Sequence, residues 1–279
     1  MNSEKTLLIN ELRFSETPRW HEGKLWFSDM LDRKVMTVDL DGHRETIIEV
    51  PKGPSGLGWL PDGRLLVVSM TDRCLMRLDK EGLAVAADLS ALATFHCNDM
   101  VVDKQGRAYV GNFGYDALAR KPYVPATIIL VLPDGKARIA AEDMAFPNGM
   151  VITADGQTLI AAESRGNKLT AFNINPDGGL SQRRLWAELG KGVLPDGICL
   201  DAENAVWVTS PATKEVLRVH EGGRVSQRIE TDPQAYACML GGPDRRTLFL
   251  CTATQEAFRG ARKGCIEMVR VDVPGAGLP

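Results

Sequence analysis

"FPNGMVITADGQTLIAAESRGNKLTAFNINPDG", residues 146–178, sets short apolar bursts between tight polar turns. "ADG" and "NPDG" are Gly-closed turns. The runs "TLIAAES" and "KLTAFNI" between them are too short for stable helices and read as strands joined by hairpins. The same pattern recurs in "SETPRWHEGKLWFSDMLDRKVMTVDLDG", "PSGLGWLPDGRLLVVSMTDRCLMRLDKEG", "CNDMVVDKQGRAYVGN", "PDGICLDAENAVWVTSPATKEVLRVHEGG" and "ACMLGGPDRRTLFLCTATQ". One turn residue in each of the six copies serves as an anchor: Gly23, Gly63, Gly106, Gly156, Asn204 and Arg245, spaced 40, 43, 50, 48 and 41 residues apart. A period in the forties is that of one four-stranded propeller blade. No segment sustains a helical period, so the expected fold is all-β: a six-bladed β-propeller with four-stranded blades, occupying residues 1–279 as a single domain.

A ring of blades has to close. The last copy ends near Val273 with three good strands, while the chain begins with an unassigned strand-like "TLLINELRF". The simplest closure lets this N-terminal strand complete the last blade and cover its open edge. The remaining properties bound the function. Hydrophobic residues make up 44% and charged residues 25% of the 279, and the net charge is -3, a composition able to build a core. Neither a membrane-length apolar run nor a signal-peptide pattern is seen, which gives a cytoplasmic expectation. With 33 basic against 36 acidic residues and no basic run interleaved with aromatics, neither nucleic acid nor membrane is an expected partner. A small molecule is, with the chain a monomer or small homo-oligomer. Six cysteines (Cys74, Cys97, Cys199, Cys238, Cys251 and Cys265) at irregular spacings read as reduced, mostly buried small hydrophobes.

If the first strand of each blade lines the central channel, the residues eight before the anchors share one level: Ser15, Ser55, Asn98, Asn148, Asp196 and Ala237, with Glu16 beside Ser15. Glu16, Asn98, Asn148 and Asp196 bring oxygens to a place that a structural channel would fill with Val or Ala. Unpaired burial of a neutral polar group costs roughly 2–7 kcal/mol, and of a carboxylate more. Two carboxylates and two amide oxygens, without His or Cys, suit a hard divalent cation: calcium first, with zinc, manganese and magnesium as alternatives. The loops joining second to third strands lie on the same face. The longest are Phe113–Ala126 and Thr254–Gly264. Extra length above a polar ring marks the entrance for a ligand, and the first of these loops is a possible lid.

"SETPRW", "CNDMVVD", "FPNGM" and "LPDGICLDAENAVWV" together resemble the gluconolactonase family, which includes regucalcin (senescence marker protein), over nearly the whole chain. The resemblance implies a six-bladed propeller with one divalent metal at the channel mouth and lactone hydrolysis as the activity. By motif it implies Glu16, Asn148 and Asp196 as metal ligands and Asn98 as a substrate contact, with Asp99 beside it. Sugar-lactonase members carry an Arg two residues before that Asn; this chain has His96, a further candidate substrate contact. The expected mechanism is metal-assisted ester hydrolysis, the cation acting as Lewis acid and Asp196 as general base.

Each residue also has a structural reading. Asn148 and Asp196 precede Gly, as Asx-turn residues do; Glu16 adjoins a Pro bend; His96 fits a loop position. Ser55 lacks the strand–turn–helix setting of a nucleophile elbow. His21, His43 and His220 fall near turns on the far face and read as solvated. The competing functions are a non-catalytic calcium-binding or scaffold propeller, and the same site acting on organophosphate esters.

Overall fold

Runs such as "LLVVS" and "VWVTS" are apolar throughout because each strand is covered on both faces, and this places them in the middle of packed sheets. The computed structural model describes residues 4–116 and 119–277. It contains six four-stranded antiparallel sheets. The N-terminal strand is β1 (Thr6–Leu12). Blade one is β2 (Ser15–His21), β3 (Lys24–Asp29), β4 (Lys34–Val38) and β5 (Arg44–Glu49). Blade two is β6 (Pro54–Trp59), β7 (Leu65–Ser69), β8 (Cys74–Asp79) and β9 (Gly82–Asp88). Blade three is β10 (Cys97–Val102), β11 (Ala108–Asn112), β12 (Ala126–Val131) and β13 (Ala137–Met144). Blade four is β14 (Pro147–Ile152), β15 (Thr158–Glu163), β16 (Lys168–Ile174) and β17 (Leu180–Glu188). Blade five is β18 (Ile198–Leu200), β19 (Val206–Ser210), β20 (Glu215–Val219) and β21 (Val225–Glu230). Blade six is β22 (Gln234–Gly241), β23 (Thr247–Ala253) and β24 (Gly264–Arg270), and β1 pairs with β24 to complete it.

The first strands of successive blades touch in the circle β2, β6, β10, β14, β18, β22 and back to β2, so they line the channel as the sequence predicts. All six anchor residues have left-handed backbone, including Asn204 (φ 59) and Arg245 (φ 57), so the turn geometry recurs even where Gly is replaced. Between blades the core is large and apolar: Leu25, Phe27, Trp207, Leu248 and Phe249 belong to one cluster joining blades one, five and six. Four of the six cysteines are buried, Cys74 and Cys265 are half-buried, and all are free thiols. One 3-10 turn, Gln255–Arg259, lies in the loop between β23 and β24. Among the described residues no helix is long and apolar enough to cross a membrane. Loop Phe113–Ala126 joins β11 to β12 on the face where the first strands begin, as expected, but its residues 117 and 118 lie outside the described residues.

Candidate active site

In five of the six blades, the pairing of first to second strand slips at the level of the polar ring. The shifts fall between Glu16 and Arg19, Pro54 and Leu57, Cys97 and Met100, Pro147 and Met150, and Ala235 and Ala237. In blade five Asp196 and Gly197 sit just before β18; Asp196 donates its N–H to Thr209 O, and Thr209 N–H returns to Gly197 O. A bulge releases residues from the alternating ladder and re-aims their side chains, a recurrent device beside active sites. It explains how Asn98 and Asp99, adjacent in sequence, both reach the channel.

The Gly that follows Ser55, Asn148 and Asp196 has a different cause from the Asx-turn reading. Gly149 lies inside β14, and a Cβ there would meet Ile198 N at 2.5 Å; at Gly197 it would meet Ala237 Cα at 2.6 Å. The backbones of neighbouring blades pass at these points, bridged by Gly149 N–H to Asp196 O (3.2 Å) and Gly197 N–H to Tyr236 O (2.8 Å). Glycine permits this close approach, and the close approach draws Asn148, Asp196 and Tyr236 around the channel mouth.

The charges there are unbalanced. Burial raises the Glu16 carboxyl well above its ordinary value, and the Asp196 and Asp99 charges raise it further. Burial also raises Asp196, with Asp99 adding to the effect while Asn148 opposes it. Asp99, 4% exposed, is raised by burial as well, against the pull of Arg19. Arg19 is the cation among them: its Nη2 donates to Asp99 Oδ1 at 2.8 Å and to Met100 O at 2.7 Å. Asp99 Oδ1 also accepts the Met100 N–H at 2.7 Å, so this carboxylate is tethered to the channel wall. Asn98 spends Nδ2 on Pro147 O (3.4 Å) and Asn148 spends Nδ2 on Ser164 Oγ (3.2 Å), and among the described residues no donor reaches either Oδ1. Ser55 Oγ, buried at the same level, has no hydrogen-bond partner. Three buried carboxylates, with Glu16 and Asp196 both feeling the charge of Asp99, together with two amide oxygens spared by their own nitrogens and an orphaned hydroxyl, fit a hard divalent cation with its coordinated waters.

The sequence brought together Glu16, Asn98, Asp99, Asn148 and Asp196, and the structure places all five at this mouth. Ser15 turns away, its Oγ donating to Cys265 O of the closing blade at 3.3 Å. His96 sits at the rim, its imidazole stacked on Phe95 at 3.9 Å between ring centres, and partial burial lowers its proton affinity. His43 is exposed on the opposite face, paired with Asp39 at 3.0 Å. With Asp41 these two form a compact acidic group, but Asp39 Oδ1 already accepts the N–H groups of Asp41 and His43 as an ordinary turn.

Several contributors escaped the sequence reading. Arg19 is one. Tyr236 is another: it precedes the ring position Ala237, and burial together with the Asp196 and Glu16 charges pushes its phenol up to about 12. A third group closes the second strands. Asp29 accepts the N–H groups of Arg13 and Phe14 (3.0 and 2.8 Å), Glu163 that of Ala145 (2.7 Å) and Ser210 that of Leu194 (3.2 Å). Each clamps the chain as it enters the ring-bearing strand. The signal was the polar residue that ends the second strand in blades one to five; in blade six that strand ends on Ala253. Thr17 and Phe146, flanking the ring residues, hold φ of 47 and 64, a conformation disfavoured for β-branched and bulky side chains that concentrates at functional sites.

Known proteins share this fold. The chain is 24% identical over 276 residues to a 6-deoxy-6-sulfogluconolactonase of Pseudomonas putida, covering 95% of this chain and 93% of that protein. It is 25% identical over 253 residues to regucalcin of Xenopus laevis, covering 86% and 83%. The solved structure of a calcium-binding protein, regucalcin, from Agrobacterium tumefaciens superposes with a TM-score of 0.82 at 21% identity, over 99% of this chain and 97% of that one. A gluconolactonase from Xanthomonas campestris gives 0.78 at 24% identity, over 98% and 90%. The family model described as SMP-30/Gluconolactonase/LRE-like region matches residues 14–254, from the clamp before Glu16 to the end of blade six's second strand. Fold and sequence together place this chain in the SMP-30/gluconolactonase/LRE-like family, to which it belongs.

Proposed function

We propose that the protein is a divalent-metal-dependent hydrolase that opens a lactone ring. The observation that carries the reading is the gathering of the buried Glu16, Asp99 and Asp196 at one channel mouth with, among the described residues, Arg19 as the cation acting on them. Membership of a gluconolactonase-containing family and the lactonase name of the Pseudomonas putida relative support the choice of ester. Glu16, Asn148 and Asp196 would hold the cation, with calcium favoured by the all-oxygen donor set. Bound there, a divalent cation supplies Lewis acidity to a lactone carbonyl and stabilises charge on its oxygen.

The chain's own groups do the rest. Asp196 Oδ accepts the proton of the attacking water as general base. Asn98, its Nδ2 fixed on Pro147 O, presents Oδ1 to a hydroxyl or water at the mouth. Arg19 and the Met100 N–H hold Asp99 against the wall, where its charge raises Asp196 further. His96, at the rim, orients the substrate. The test is a panel of sugar, aliphatic and aromatic lactones, with an organophosphate ester as control, followed by a pH indicator in the presence of added metal. Acid release from at least one lactone above the spontaneous rate is expected. No acid release from any lactone contradicts the reading, and release from the organophosphate alone changes the ester class.

A further inference from the structure

We infer that the natural lactone carries an apolar, aromatic-sized substituent, gripped by the Phe113–Phe146 ring pair above the carboxylate cluster; this inference rests on the lactone-hydrolase reading. Phe113 follows the last residue of β11, and Phe146 stands two residues before Asn148. Their rings stack in parallel, 4.9 Å apart at 9°, and both stay half-buried, so they are packed on each other while part of their surface faces solvent. The surface continues through His96, 6.5 Å from Phe113, to Phe95. The Phe113 N–H donates to His96 O at 3.0 Å and ties the two segments together. Blade six adds the half-exposed Phe258 on the loop of the 3-10 turn, its ring 6.0 Å from that of the buried Tyr236 in β22.

A mouth that combines aromatic walls with a small oxygen cluster beneath has the make-up of a pocket for an amphipathic small molecule. Of these six side chains only His96 and Tyr236 can hydrogen bond, and the Tyr236 hydroxyl already accepts from Gln255 Nε2 at 3.1 Å. A polyhydroxylated substituent would leave hydroxyls without partners against such walls. Phe146 adds an independent argument. At φ 64 a Gly or Asn would be the less strained residue, so the phenyl ring stands there against its backbone preference. A contact that uses the ring accounts for that.

The experiment compares two substrates with the same ester ring, a phenyl-substituted δ-lactone and glucono-δ-lactone, on the full chain with calcium added and the spontaneous rate subtracted. Burying one phenyl ring against aromatic partners predicts a kcat/KM about tenfold or more in favour of the phenyl substrate. Phe146→Gly, which relieves the backbone, is expected to lower that ratio about tenfold without lowering the melting temperature. Phe258→Ser, at a half-exposed site, is expected to lower it less. A wild type that prefers glucono-δ-lactone, or a ratio that Phe146→Gly leaves unchanged, overturns the inference. If neither these two nor any lactone of the wider panel is opened, the hydrolase reading fails by itself. Calorimetry with the phenyl-substituted δ-lactam, which shares the shape but resists opening, then decides: binding weakened by Phe146→Gly upholds the aromatic grip, and no binding overturns it.

Discussion

Asp196 and Glu16 both face the channel mouth, yet their expected roles separate in mutants. Asp196→Asn keeps an oxygen but removes the base, and a general base contributes about 10²–10⁴-fold, so turnover at saturating metal should fall by that factor. Glu16→Gln should act through metal affinity and recover when metal is raised. Equal rescue of the two would make Asp196 a ligand only. Arg19 offers a stability test: its pair with Asp99 is 6% exposed on both sides, and removing one partner of such a pair costs about 3–5 kcal/mol. Arg19→Leu should show that loss in urea unfolding, and a change below about 1 kcal/mol would mean that Asp99 is held by the Met100 N–H alone. Asn98, Asn148 and Asp196 were legible because a repeat fixes their register and an oxygen at a repeated inward position is conspicuous. Arg19 was not, since nothing in "TPRW" separates an arginine that crosses to Asp99 of blade three from one in solvent.

Strands differ in how much of themselves they write into the sequence. Middle strands such as β7 and β19 are buried on both faces and read as continuous apolar runs, whereas outer strands such as β5, with its mostly exposed "RETIIE", carry only a faint alternation. The bulges left no trace in residue type, because they arise from how one strand pairs with the next. The close approach of neighbouring blades is visible in the Gly that follows Ser55, Asn148 and Asp196, which the sequence alone could assign to a turn as readily as to a close approach. Gly149→Ala tests the distinction. A methyl group 2.5 Å from Ile198 N must push blades four and five apart, and overpacking of this kind costs about 1–3 kcal/mol. A Gly149→Ala variant with unchanged unfolding midpoint would show that the strands have room to spare and that the approach does not hold the ring together.

Closure of the ring makes the molecule's stability depend on both ends of the chain. β1 pairs with β24 and buries Leu12 (2% exposed) and Ile9 (7% exposed) in the cluster shared with Phe27 and Phe249. Deleting residues 1–12, of which 1–3 lie outside the described residues, should lower the melting temperature by about 10 °C or more, since two large buried side chains and a strand edge are lost together. The period and the missing fourth strand announced this architecture, because both follow from counting along the chain. The oxygen-bearing face was legible too, because counting eight back from each anchor puts its residues on one level; how Arg19, Asp99 and the buried carboxyls act on one another follows from charge and burial, which counting does not reveal. In the proposed reaction the carboxylate-rich mouth works through a bound divalent cation. The most direct measurement is the hydrolysis rate of an accepted lactone by protein stripped with EDTA and by the same protein after calcium, manganese or zinc is returned. Loss of activity on stripping, with recovery to different degrees among the metals, is the predicted result, and full activity in thoroughly stripped protein would contradict it.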